Sequence, residues 1–257
     1  MIQFSTSSIK HGFKNGRNGT HTARTIMIHE LEILLSYIPE LDAPKSEYIK
    51  AIEEDNCLGK RSGENRKRTA SHLIELYSLD PSVALFRALR YFWDKDEKGR
   101  PLLALQCAYA RDPILRISAP FILAYQEDSI VSREELERYI DSQEPDRFSK
   151  ATLKSTAQNL NSSWTQSGHL KGRAKKYRSR AIATAGSTAY ALFMGYLTSI
   201  GGISLFETEY TKLLDCPVDK AIDLAESASR QGWFVFRRIE DIMEIRFPNL
   251  MNTKEIR

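Results

Sequence analysis

The sequence predicts a mainly α fold: a helical bundle with winged-helix-like units, the C-terminal one carrying a β-hairpin. Three observations point there. Apolar residues recur three and four apart through most of the chain, as on one face of a helix. Helix-start residues, Asp-Pro or Ser-x-x-Glu, precede several of those stripes. No stretch before residue 130 alternates with period two, and only WFVFRRIEDIMEIRF (233–247) reads as two strands around a turn.

Residues 1–20 are polar, Gly-rich and basic, which predicts a flexible N-terminal segment. Residues 21–128 read as a helical bundle domain. Met27, Leu31, Leu34, Leu35 and Ile38 form its first stripe, and Pro39 stops it. A second helix runs from Pro44 to Asp55. Ser62 caps a third, with Ala70, Leu73, Ile74 and Tyr77 on one side. Asp80-Pro81 predicts the start of a fourth, bearing Leu85, Leu89, Phe92 and Trp93. The turn DKDEKGRP leads to a helix over 102–110, and Asp112-Pro113 opens the next.

Residues 129–257 read as a winged-helix-like region of two units, 130–182 and 186–250. Ser132-Arg-Glu-Glu135 is a capping box that opens the first. After the break SQEPDRF, Ser149 caps a helix whose Leu153, Ala157, Leu160 and Trp164 form a narrow apolar seam. Its opposite face carries Ala151, Ser155, Gln158, Ser162 and Gln166, beside Lys150 and Lys154. LKGRAKKYRSR (170–180) follows, where the wing of a helix-turn-helix would be. In the second unit a helix is expected over 205–214, another after Asp215-Cys-Pro217, and then the hairpin. The hairpin turn at Glu240-Asp241 is acidic, which suits a structural or protein-contact role better than DNA.

Net charge is only +4, but its distribution is uneven. Residues 147–206 contain no carboxylate and nine bases. The remainder therefore holds 37 − 9 = 28 bases against all 33 acids. Such a segment, if exposed, polarises the surface. Three scattered cysteines exclude a disulfide framework or a zinc site, and fit a cytoplasmic protein. The N-terminus lacks the apolar run of a signal peptide. The uncharged stretch 181–206 is long enough for a membrane span, but its Ala, Gly, Ser and Thr content predicts a buried helix of a non-membrane protein. No P-loop, GxSxG, GxGxxG or HExxH is present, so a non-enzymatic protein with no cofactor and no metal is expected.

The candidate DNA-binding residues fall in three groups. Lys171, Arg173, Lys175, Lys176, Tyr177, Arg178 and Arg180 form the presumed wing, to be weighed against a solvated loop. In an extended hairpin Arg173, Lys175 and Tyr177 share one side, and Lys176, Arg178 and Arg180 the other. Lys150, Lys154, Ser155 and Gln158 lie on the presumed recognition helix. Cations in a first helical turn oppose the helix dipole unless an anion comes near. Neutral hydrogen-bonding side chains suit a face that meets phosphates or base edges. Lys60, Arg61, Arg66, Lys67 and Arg68 surround a helix N-terminus, where amide N–H groups also favour anions; the alternative is a solvated first turn. Trp164 reads as core, and His169 as a loop residue beside the basic segment.

Three stretches resemble one family: NCLGKRSGENRKR (56–68), CAYARDPILRISAPFIL (107–123) and SKATLKSTAQNLNSSWTQSGHLKG (149–172). With the chain length and helical character, they are similar to the BrxA family, the small accessory protein of bacterial BREX phage-defence systems. The resemblance spans roughly residues 20–250, and HGFKNGRNG lies outside it. It implies a non-enzymatic, largely helical protein that binds double-stranded DNA, with other BREX components as partners. It also implies a core similar to that of NusB-type antitermination factors, and supplies no catalytic motif. An RNA-binding antitermination-like regulator and a protein-interaction scaffold remain the alternatives. If six phosphates are neutralised, the salt dependence of DNA binding should have a log–log slope of about −5.

Overall fold

A short helix opens the chain, where the sequence predicts a flexible segment. In the computed structural model, which describes residues 3–239 and 242–251, α1 (Thr6–Lys10) is capped by Ser5, whose hydroxyl accepts from the Ser8 amide. Phe4 and Phe13 flank it, both buried, with ring centroids 4.8 Å apart. The Lys14 amide donates to the Ala110 carbonyl, and Arg17 pairs with the buried Glu144. Polar composition hid two aromatic anchors, each contributing about 2 kcal/mol when buried.

The bundle follows: α2 (Ile28–Tyr37), α3 (Lys45–Glu53), α4 (Gly63–Tyr77), α5 (Ala84–Trp93), α6 (Arg100–Arg111) and α7 (Pro113–Leu123). The stripe Met27, Leu31, Leu34, Leu35 and Ile38 is buried as the spacing requires. Ser62 caps α4 through the Asn65 amide. Asp112 caps α7 through the Ile114 and Leu115 amides, with Pro113 in the first turn. Asp80-Pro81 does not start α5. The Asp80 carboxylate accepts from the Ser82 amide and hydroxyl, closing a local turn, and the helix begins at Ala84.

Then come β1 (Ile130–Val131), α8 (Arg133–Gln143), α9 (Lys150–Gln166), β2 (Leu170–Lys171) and β3 (Lys176–Arg178). The three strands form an antiparallel sheet in the order β1-β3-β2, with Ile130 opposite Tyr177 and Leu170 opposite Arg178. Two-residue strands are too short to show alternation, so β1 left no periodic trace in the sequence. Ser132 and Ser149 cap α8 and α9. Ala157, Leu160 and Trp164 are fully buried, and the Trp164 indole N–H donates to Ser118 Oγ at 2.8 Å. That seam fastens α9 to α7.

The chain continues through α10 (Ala185–Leu197), α11 (Glu209–Lys212), α12 (Val218–Arg230), β4 (Val235–Ile239) and β5 (Ile242–Arg246). The helix expected over 205–214 divides: a 3-10 turn covers Gly202–Glu207, and Thr208 then caps the single turn α11. β4 and β5 form the expected antiparallel hairpin, Phe236 opposite Ile245. Its turn at Glu240-Asp241 lies outside the described residues.

α10 is the buried uncharged helix that the sequence predicts, and it packs on α5 and α6. The expected boundary at 128/129 is therefore crossed by core packing: one continuous cluster runs from Phe4 to Leu250. No helix among the described residues is long and apolar enough to cross a membrane.

Candidate nucleic-acid interface

α9 is held by its seam, so its opposite stripe faces away from the core. Lys150, Lys154 and Gln158 are exposed on it, and Ser155 and Ser162 are half-buried. Lys150, Lys154, Gln158 and Ser162 stand four apart and form one row. The Ser155 hydroxyl donates back to the Thr152 carbonyl at 2.9 Å, leaving its lone pairs as acceptors. Neither Lys150 nor Lys154 has an ion-pair partner among the described residues.

A groove of about 590 Å³ separates α9 from the β2–β3 hairpin. Gln158, Asn161 and Ser162 line one side, and Arg173, Lys175 and Lys176 the other. Asn161 is 5% exposed, and its Oδ1 is buried without a donor. Glu134 also lines the groove, but Arg133 sits 2.6 Å from its carboxylate and offsets the charge. Asn161 was not among the residues expected; its i+3 spacing from Gln158 is the signal that marks it.

The six cations of LKGRAKKYRSR do not behave alike. Arg178 is a correction: it is 3% exposed and forms a bidentate pair with the buried Asp215, at 2.7 and 2.8 Å. Arg180 leans on Asp215 and Glu127, at 3.3 and 3.5 Å. Lys171 reaches Asp128 at 2.5 Å, and that hydrogen bond raises its pKa. Lys176 donates to the Gly172 carbonyl at 2.7 Å, and desolvation lowers its pKa. Lys176 has no ion-pair partner either, but only Arg173 and Lys175, at the exposed tip, have neither an ion pair nor a side-chain hydrogen bond among the described residues. Tyr177 is half-buried, and its ring lies beside Gly172. Gly172 has φ +97°, and a Cβ there would collide with the Lys175 carbonyl oxygen, so the tip needs glycine.

Acids that the chain order hides cause these pairings. Glu127 and Asp128 precede β1, and β1 pairs with β3; the Asp128 amide even donates to the Arg178 carbonyl at 2.9 Å. His169 does lie in the turn between α9 and β2, but it is not solvated. It is fully buried, with Nδ1 2.8 Å from Ser167 Oγ and Nε2 3.0 Å from the Leu213 carbonyl oxygen. Burial outweighs the nearby Asp215 and pushes its pKa down to about 4.

The group at the start of α4 is partly spent. Lys60 pairs with Glu30 at 3.0 Å, Arg68 pairs with Glu64, and the half-buried Arg66 has its Nε buried without an acceptor. Arg61 and Lys67 are exposed. None of the five lines the groove of α9. Three fully or nearly fully buried groups meet in a way the sequence did not show, although Asp112 is an expected helix start. His21 bridges Asp112 Oδ2 at 2.8 Å and Ser163 Oγ at 2.9 Å, tying α9 to the start of α7. Burial acts to raise the Asp112 pKa, but the charge and hydrogen bond of His21 outweigh it and hold it below its ordinary value. With no opening to solvent, this Ser–His–Asp row is a strut.

Fold and groove together define a class: a mainly helical protein with small antiparallel sheets and a groove bordered by unpaired cations. No family model matches the chain, and no curated protein matches it.

Proposed function

We propose that the chain binds double-stranded DNA without catalysing a reaction, with α9 as recognition helix and the β2–β3 hairpin as the wing of a winged helix. The element order supports this: α7, β1, α8, α9, β2, β3, with β3 central in the sheet. One observation carries it. Lys150, Lys154, Arg173 and Lys175 have no ion-pair partner among the described residues, and they border a row of neutral hydrogen-bonding side chains. Cations left unpaired on a folded surface are available to phosphates, and Gln158, Asn161 and Ser162 can meet bases or backbone between them. The resemblance to the BrxA family extends the proposal: the protein would act in the cytoplasm with other BREX components in phage defence.

Fluorescence anisotropy of a labelled DNA duplex tests it. Saturable binding is expected, displaced more readily by unlabelled double-stranded DNA than by double-stranded RNA. Replacing Lys150, Lys154, Arg173 and Lys175 together by Ser should abolish it. Stronger displacement by RNA would favour the antitermination-like regulator. Absence of binding to either would favour the protein-interaction scaffold.

A further inference from the structure

A second pocket, of about 640 Å³, lies between α7, α8 and α11 and shares no residue with the DNA-facing groove. Its volume is in the range of small-molecule sites, roughly 300–1,000 Å³. Ile117, Pro120 and Leu123 give α7 an apolar wall there. Charged groups gather around Glu209, on α11. Its carboxylate accepts from the Tyr109 hydroxyl at 3.0 Å, and Arg116 and Lys212 both act on it electrostatically.

The charges in this pocket do not balance. Arg116 is 5% exposed and has no carboxylate within ion-pair distance among the described residues. Its terminal nitrogens donate to the carbonyls of Tyr109 and Lys14, at 2.8 and 2.6 Å, but its buried Nε–H has no acceptor. A buried guanidinium ordinarily has every donor satisfied and an anion close by. Lys212, exposed on α11, adds a second cation without an ion pair. Two cations and one carboxylate line the pocket. Asp112 also acts on Arg116, but it lies outside the lining and is paired with His21. The lining therefore carries a single net positive charge beside an apolar wall.

We propose that this pocket binds a small amphipathic monoanion: an apolar body carrying one carboxylate or sulfonate. The apolar body covers the α7 wall, and the anion supplies the charge that Arg116 and Lys212 lack. This inference is independent of DNA binding.

Fluorescence titration of the full chain with 8-anilinonaphthalene-1-sulfonate provides the test, with the uncharged N-phenyl-1-naphthylamine as its comparison. Saturable one-to-one binding of the sulfonate is expected. Lys212→Glu reverses a charge near the anion and should weaken it about tenfold while leaving the neutral probe almost unchanged. Leu123→Trp fills the pocket from a half-buried position and should weaken both probes by about tenfold or more. Ile117→Trp, also half-buried, serves as a second occluding variant, and near-ultraviolet circular dichroism checks each fold. No saturable binding, or sulfonate binding that neither occluding variant weakens, would overturn the site. An equal effect of Lys212→Glu on both probes would overturn its preference for anions. Neither titration contains DNA, so failure here and failure of duplex binding are separate results.

Discussion

Replacing Arg173 and Lys175 together by Ser tests the proposed interface at its most exposed point. Each phosphate neutralised contributes roughly −0.9 to the slope of log K against log salt. With Lys176 held by the Gly172 carbonyl, four cations with neither an ion pair nor a hydrogen bond remain, Lys150, Lys154, Arg173 and Lys175, and they predict a slope of about −3.6. Removing the two at the hairpin tip should leave about −1.8. Between 50 and 200 mM salt the unsubstituted protein would lose roughly 150-fold in affinity and the double variant only about 12-fold. Lys171→Ser with Arg180→Ser is the control. Asp128, Glu127 and Asp215 already neutralise those two side chains, so the slope should hardly move. Anisotropy titrations on one duplex at several salt concentrations give all three slopes. The reasoning fails if the tip pair leaves the slope unchanged, or if the control pair lowers it as much. A slope near −5 in the unsubstituted protein would mean that the ion pairs of Lys171 and Arg180 open on binding.

Arg178→Ala should act on stability, because it removes the bidentate partner of the buried Asp215 carboxylate and leaves only the exposed Arg180, at 3.3 Å, beside it. A cost of about 3–5 kcal/mol is expected, read from urea unfolding; an unchanged midpoint would return Arg178 to the surface. His169 predicts an acid limit. Its folded pKa of about 4 lies below the ordinary value of about 6.5, so between those values the unfolded chain binds the extra proton. Stability should fall by about 3 kcal/mol as pH drops through that window, and be complete above it. His169→Gln should flatten the pH dependence of the unfolding midpoint over the same range.

The sequence carried the helices, their caps and the apolar seam of α9 because each depends on neighbours three or four residues away. Ser62, Asp112, Ser132 and Ser149 cap where spacing predicts, and Trp164 is core. Asp80 misled because an Asp-Pro start and a local Asp turn share one pattern, and only packing chooses between them. The N-terminal segment misled because Phe4 and Phe13 find their partners only in the folded chain: Phe13 packs at a tilt against Tyr210, and Phe4 lies under Arg116.

Charge was the least legible property, and the reason is topological. Sixty residues without an acid overstate the free positive charge, because compensation is a matter of space and not of chain order. Antiparallel pairing of β1 with β3 carries whatever precedes β1 alongside whatever follows β3. Glu127 precedes β1 and meets Arg180 as a consequence of register, while Asp128 reaches past β3 to Lys171 on β2. Arg178 alternates inward on β3 and finds Asp215 ahead of α12. The two tip residues escape both effects: they lie beyond the last rungs, Lys171 opposite Tyr177 and Val131 opposite Lys176, where no strand brings an acid alongside. In a three-stranded sheet of this order, the cations left for a polyanion are those past the last rung, whatever the local run of Lys and Arg suggests.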